Sequence, residues 1–269
     1  MDLNRKTVIV TGAARGIGLG IAQAFSREGA NIVLADLGSL HSAEWTYGLS
    51  STQQLEAAVE SVIVQGKGNK RAIAVEVNVS KRDSVHQLIT QAEEAFGSID
   101  IVVNNAAILV PGSLETVQDR HIDLIWQIDL RGPLILMKRA LPHLKSAGGG
   151  DFINISSRAG VFPGPGPYEE TPSRRDGSFY GMIKSGLERF SQGLAKELQA
   201  DNIKVNVLSP QGRIKTPGNI WAENDPENPS LEFEAADEMG KAGVWICEQP
   251  TTYTGHILFD QDLCSEQNL

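Results

Sequence analysis

Apolar residues fall in short, almost continuous runs rich in β-branched side chains, and these alternate with longer stretches where apolar residues recur every three or four positions. Runs of the first kind suit strands buried on both faces; stretches of the second kind suit amphipathic helices. The strand candidates are residues 7–10, 32–35, 72–77, 99–103, 152–155, 205–208 and 257–259. Helical segments are expected near 17–28, 53–65, 82–96, 122–145 and 179–199. Ser80, with Asp83 three residues on, reads as a capping box opening the third helix. The alternation predicts an α/β fold in three layers, a doubly wound parallel sheet of about seven strands covered by helices on both faces. No internal repeat, low-complexity tract or linker interrupts it, so residues 1–269 are expected to form a single domain.

Three segments exceed the bare alternation: 38–52, 161–178 and 213–239. The first carries Trp45 and Tyr47, which either cover a bound ligand or form a small apolar satellite. The second is rich in Pro and Gly and then charged. The third is acidic around Trp221 and Phe233 and is expected to act as a lid. Long connections in a domain of this kind commonly carry function.

Composition narrows the classes. A net charge of −9 leaves no basic footprint for nucleic acid or an anionic membrane. No apolar run is long enough to span a bilayer, and a strand begins within a few residues of Met1, where a signal peptide would need an apolar stretch. The two cysteines, Cys247 and Cys264, lack zinc spacing and make no disulfide framework, which points to a reducing, cytoplasmic setting.

The first strand candidate runs into Thr11-Gly12-Ala13-Ala14-Arg15-Gly16-Ile17-Gly18 and then a helix. Gly12 permits a tight turn, Gly16 lets the backbone approach a pyrophosphate, and Gly18 allows close helix–sheet packing. The helix start then offers free N–H groups to phosphates. Asp36 ends the second strand about twenty residues on, where a carboxylate accepts hydrogen bonds from ribose hydroxyls and repels a 2′-phosphate. NAD is therefore expected rather than NADP, although Arg15 places a cation in the same loop. Tyr180 and Lys184 stand four apart, on one face of a helix. A nearby ammonium favours phenolate, so Lys184 is expected to lower the Tyr180 pKa toward working pH.

With residues 11–18, Asn104-Asn105-Ala106, Ser157 and Tyr180/Lys184 in this order, the chain resembles the short-chain dehydrogenase/reductase family. The resemblance covers nearly the whole length. It implies a Rossmann-type sheet, a nicotinamide cofactor and a site in which Ser157 bonds the substrate oxygen, Tyr180 exchanges its proton and Lys184 holds the nicotinamide ribose. Many members are tetramers or dimers packed through the helices here placed at 122–145 and 179–199. Four positions depart from the family pattern. Asp129 stands where an assisting Asn is usual; it either keeps the acceptor of a proton relay or is a solvated or salt-bridged aspartate, with Arg131 the candidate partner. Ala107 follows Asn105-Ala106 in place of Gly. Asn78, before Val79, stands where an Asp contacts adenine. Gln211 is interposed between Pro210 and Gly212, ahead of Ile214 and Thr216, which the family pattern places against the nicotinamide.

Because the 161–178 segment joins Ser157 to Tyr180, Val161, Phe162 and Tyr168 are expected to wall a substrate pocket. The closing residues 254–260 are similar to those of family members acting on apolar alcohols. Together these imply NAD-linked interconversion of a secondary alcohol and a ketone on a hydrophobic or alicyclic small molecule. The alternatives are a non-catalytic NAD-binding sensor and an enzyme that holds NAD as a prosthetic group.

Overall fold

Along β1 (Thr7–Thr11) successive side chains point to opposite sides of the sheet, and both sides are apolar. Val8 and Val10 belong to one core cluster and Ile9 to another, with all three fully buried. The computed structural model describes residues 2–40, 48–66, 71–110, 112–168, 177–222 and 233–269. The chain continues through α1 (Gly16–Arg27), β2 (Asn31–Asp36), α2 (Thr52–Gln65), β3 (Ala72–Glu76) and α3 (Arg82–Phe96). After β4 (Ile101–Asn104) come α4 (Asp119–Ile125), a π-helical segment (Trp126–Arg131) and α5 (Gly132–Ser146). The second half holds β5 (Gly150–Ile155), α6 (Ser178–Leu198), β6 (Ile203–Ser209), α7 (Pro217–Ala222), α8 (Asp237–Glu248), β7 (Ile257–Phe259) and α9 (Asp260–Gln267).

The seven strands are all parallel and lie in the order β3-β2-β1-β4-β5-β6-β7. One face is covered by α1, α2, α8 and α9 through Ile21, Phe25, Leu55, Val62, Met239 and Leu263. The other is covered by α3, α5 and α6 through Leu88, Ile89, Leu136, Met137 and Leu198. The strand order reverses between β1 and β4, and that reversal opens a crevice at the C-terminal ends of the strands.

All seven strand candidates are present, with ends shifted by up to two residues. The expected helix over 122–145 begins earlier, at Asp119, and is interrupted by the π-helical turn. No capping box opens α3: Lys81 is its N-cap without a side-chain bond, and the Ser80 hydroxyl instead donates to Asn78 Oδ1 at 2.6 Å. The capping box lies on α2, where Ser51 Oγ accepts from Gln54 N–H and Gln54 Oε1 accepts from Ser51 N–H. Helices α7, α8 and α9 were not foreseen. Trp45, Tyr47 and the charged stretch 169–176 lie outside the described residues, as does the Trp221 side chain. Among the described residues no helix is long and apolar enough to cross a membrane.

Far from the crevice, Lys204 of β6 is buried and donates to the carbonyls of Ile246, Cys247 and Gln249, at 2.9, 2.9 and 2.8 Å. These are carbonyls at the end of α8, where the helix leaves its last acceptors short of donors; Ile246 O also accepts from Gln249 N–H at 3.3 Å. Asp151 of β5 lies 3.2 Å from the same ammonium, and burial pushes its carboxyl up to about 7 despite Lys204.

Candidate active site

The glycine loop is shaped by close approach. Gly12 has φ +66°, and a Cβ on Gly18 would run into the Gly12 carbonyl and the Asn105 amide. Thr11 ties the loop to the end of β4: its hydroxyl accepts from the N–H groups of Asn105 and Ala106, at 3.0 and 3.1 Å, and donates to Val103 O. The Asn105 amide donates to the carbonyls of Thr11 and Gly12, at 2.8 and 3.1 Å. Asn105 is thus a bracket for the loop, with Ala106 beside it. No side chain caps α1, so its first N–H groups face the crevice without a side-chain acceptor. Thr216 packs its methyl against Gly16, so the segment after β6 reaches the loop.

Asp36 stands at the far side of the loop. Its carboxylate accepts from Ala14 N–H at 2.9 Å, Leu37 N–H at 2.7 Å and the Ser50 hydroxyl. The Arg15 guanidinium donates to Gly48 O. Both groups that bear on cofactor choice are therefore held by the end of the 38–52 insertion. Ser50 and Gly48 are absent from the sequence-based site; the Ser50-Ser51-Thr52 hydroxyls before a helix are the signal that marks this corner. Asn78 Oδ1 accepts from the backbone and hydroxyl of Ser80, so its side chain shapes the turn after β3, and Val79 packs against Gly132.

Ser157, Tyr180, Lys184 and Asp129 converge at the ends of β5 and β4. Ser157 Oγ accepts from Ala159 N–H at 3.2 Å, opening a 3-10 turn over Arg158–Gly160. Tyr180 and Ser157 share a side-chain hydrogen bond. Lys184 is buried; its Nζ sits 5.4 Å from the Tyr180 ring centre, donates to Ile155 O at 3.1 Å and lies 3.6 Å from Asp129 Oδ2. Asp129 is carried inward by the π-helical turn, and its Oδ1 accepts from Ile108 N–H at 2.9 Å. Arg131 points away, toward Ser80 O, so Asp129 pairs with Lys184. One turn beyond Lys184, Glu188 accepts from the Ser156 hydroxyl at 2.5 Å.

The electrostatics correct one expectation. The Tyr180 phenol is raised, not lowered: burial acts most strongly, Asp129 adds to it, and Lys184 with the Ser157 hydrogen bond opposes. Burial likewise raises the Asp129 carboxyl to about 6, against the pull of Lys184 and the Ile108 N–H. Lys184 is raised: burial disfavours its ammonium, but Tyr180, Asp129 and Glu188 together outweigh that.

The segment after β6 is fastened at several points. Gln211 N–H donates to Asp260 Oδ1 at 2.8 Å, Asp262 N–H to Gln211 Oε1 at 3.2 Å, and Arg158 to Gln211 O at 3.2 Å. The interposed residue after Pro210 thus joins the serine turn to α9. Ile214 is buried and bridges to Glu234, whose backbone pairs with Arg213 and Lys215 and whose carboxylate covers Gly212. The Thr216 hydroxyl accepts from Asn219 N–H at 3.1 Å. Val161, Phe162 and Tyr168 are all exposed, with the Arg158 guanidinium 5.2 Å from the Phe162 ring centre.

Residues 6–226 match the family model of the short chain dehydrogenases. The chain belongs to the short-chain dehydrogenase/reductase family. It is 33% identical to trans-4-hydroxycyclohexanecarboxylate dehydrogenase of Sinomonas cyclohexanicum over 87% of its own length and 86% of that protein. It is 29% identical to peroxisomal multifunctional enzyme A of Dictyostelium discoideum over 96% of this chain, which spans about half (53%) of that longer relative. Among solved structures, L-sorbose reductase of Gluconobacter frateurii, complexed with NADPH and L-sorbose, superposes with a TM-score of 0.77 at 26% identity, covering 96% of this chain and 97% of that one. The family is one of oxidoreductases that use NAD or NADP.

Proposed function

We propose that this protein is an NAD-dependent oxidoreductase that interconverts a secondary alcohol and a ketone on a hydrophobic, alicyclic small molecule. The observation that carries the reading is the convergence of Tyr180, Ser157 and Lys184 beside the glycine loop, at the crevice where the strand order reverses. The loop suits a dinucleotide: backbone replaces side chains where a pyrophosphate must approach, and the uncapped α1 points its N–H groups there. Gly12, Gly16, Ile17 and Gly18 would hold the pyrophosphate, Asp36 the adenosine ribose, Asn78 and Val79 the adenine, and Ile214 and Thr216 the nicotinamide end.

Bound there, the nicotinamide supplies the hydride chemistry. The side chains orient and handle the proton. Ser157 donates a hydrogen bond to the substrate oxygen, and Tyr180 gives a proton to that oxygen in reduction or takes it in oxidation. Lys184, anchored on Ile155 O, keeps a positive charge beside the phenol. Behind Tyr180, Ile108, Val110, Ile125 and Ile183 form an apolar cluster that supports a hydrophobic substrate, with Val161, Phe162 and Tyr168 at the rim. The relative that acts on a hydroxylated cyclohexane ring supports an alicyclic one. Exposed Trp126, Met182 and Phe190 on the two long helical segments support a homodimer or homotetramer.

The test is steady-state turnover across cyclic and linear secondary alcohols and ketones, with NAD(H) and NADP(H) in parallel. NAD-linked turnover that favours alicyclic substrates is expected; absence of turnover on every member, with NAD bound, would sink the reading. A companion variant, Asp36→Ala, is expected to weaken NAD binding about tenfold or more, the size of a lost hydrogen bond to a charged group. Titration of NADH by fluorescence measures it; unchanged affinity would remove Asp36 from the ribose site. A second reading, NAD held as a prosthetic group, is favoured by one contact set: the 48–50 segment is tied to both Asp36 and Arg15. Cofactor retained through dialysis would select it.

A further inference from the structure

Asp129 brings a carboxylate to 3.6 Å from the Lys184 ammonium in a place where neither side chain reaches solvent. Its Oδ1 is satisfied by Ile108 N–H, whereas Oδ2, the oxygen nearer Lys184, has no hydrogen-bond donor. The ionisable groups that act on it come from α6: Lys184 directly and Tyr180 beyond it. Glu188 acts on Lys184 from the next turn and is itself held by Ser156. On its own segment Arg131 is engaged with Ser80 O. An asparagine here would keep the shape and carry no charge.

The geometry points to Asp129 as a charge-setting residue: its carboxylate takes a share of the Lys184 charge and so keeps Tyr180 a phenol through neutral pH. The inference rests on Tyr180 as the proton carrier and adds a working range to it. A phenol gives a proton to a carbonyl oxygen; a phenolate takes one from an alcohol. Ketone reduction therefore keeps its full rate through neutral pH, and alcohol oxidation reaches its full rate only in alkaline solution. The sign agrees with the separate influences on Tyr180, where burial and Asp129 favour the phenol while Lys184 and Ser157 favour the phenolate.

The decisive variant is Asp129→Asn, which removes charge at constant shape. In alcohol oxidation with NAD, the rising limb of the kcat/KM profile is expected to move about one pH unit toward acid, the scale of losing one close charge. A readout without turnover accompanies it: near-ultraviolet tyrosinate absorbance of the cofactor-free protein, taken as D129N minus D129N/Y180F and compared with wild type minus Y180F. The same acid-ward shift is expected there. If the amide variant does not fold, Asp129→Ser carries the same test. Profiles that coincide for wild type and the uncharged variant would overturn the role given to Asp129. Tyr180→Phe separates the two readings: surviving turnover in Y180F overturns Tyr180 as proton carrier, whereas an inactive Y180F with an unmoved D129N limb overturns this inference alone.

Discussion

Replacing Tyr180 by Phe is expected to lower turnover by about 10³-fold, the range for removing a positioned general acid or base. The ring itself is retained. Tyr180 packs against the apolar cluster of Ile108, Ile125 and Ile183, and the Lys184 ammonium lies over its ring, so a phenyl group fills the same space. What disappears is the phenol oxygen, and with it the hydrogen bond to Ser157 and the proton that must reach the substrate oxygen. NAD is held by residues of the glycine loop, Asp36 and the segment after β6, so NADH binding should stay within a few-fold of wild type. Because the lost interaction acts at the reacting oxygen, kcat and kcat/KM should fall together with little change in KM. Stopped-flow turnover beside a fluorescence titration of NADH settles it. A loss smaller than tenfold would remove the proton from Tyr180 and leave Ser157 as the next candidate.

The second large effect concerns stability and lies at the other end of the sheet. Lys204→Met keeps the aliphatic stem and deletes the ammonium, leaving the carbonyls of Cys247 and Gln249 without their donor, Ile246 O with Gln249 N–H alone, and Asp151 without a counter-charge. Breaking a buried pair from one side costs about 3–5 kcal/mol, which for a chain of this size lowers Tm by roughly 10 °C. The loss has a pH signature. Burial already raises the folded Asp151 carboxyl from 3.8 to about 7, so the native state binds the extra proton between those values and Asp151 destabilises the fold increasingly as pH rises through that window. Without Lys204 the folded carboxyl rises further. The penalty of K204M should therefore be level in acid and grow as pH rises through about 7, where the wild-type carboxyl ionises beside Lys204 and the variant's stays protonated. Adding Asp151→Asn should recover part of it, because the two side chains couple. Urea denaturation of the single and double variants across pH measures both. A K204M penalty that is flat with pH would show that the lost carbonyl contacts, rather than the Asp151 charge, account for the effect.

Much of the fold was legible because parallel strands buried on both faces read as continuous β-branched runs, and Val8, Ile9 and Val10 show the pattern at its clearest. Helix α8 was not legible for the opposite reason. The face it presents to α1 is built from Gly240 and Gly243, with Gly240 close against Gly20 and Ala24 and Gly243 against Phe25 and Ile21, so a hydrophobic count sees little there. The π-helical turn escaped because one added residue shifts the inward face without changing composition. At the site, the spacing of Tyr180 and Lys184 was readable from local geometry. The net direction of the Tyr180 shift was not, because it depends on burial and on Asp129, 51 residues away in the chain. Ser50 and Gly48 were missed on similar grounds: the Ser50-Ser51-Thr52 hydroxyls mark a helix start, but their pattern does not say that Asp36 and Arg15, across the loop closure, are the partners.

The parallel bridge between Ile214 and Glu234 has a consequence for how this chain tolerates change. With Glu234 N–H on Arg213 O and Lys215 N–H on Glu234 O, Glu234 and residues 213–215 form a neck closed by main-chain bonds. Gln211 and Asp260 fasten the neck from outside. A neck closed by main-chain bonds does not depend on which side chains Arg213 and Lys215 carry, so exchange at those two positions leaves Thr216 and the glycine loop in place.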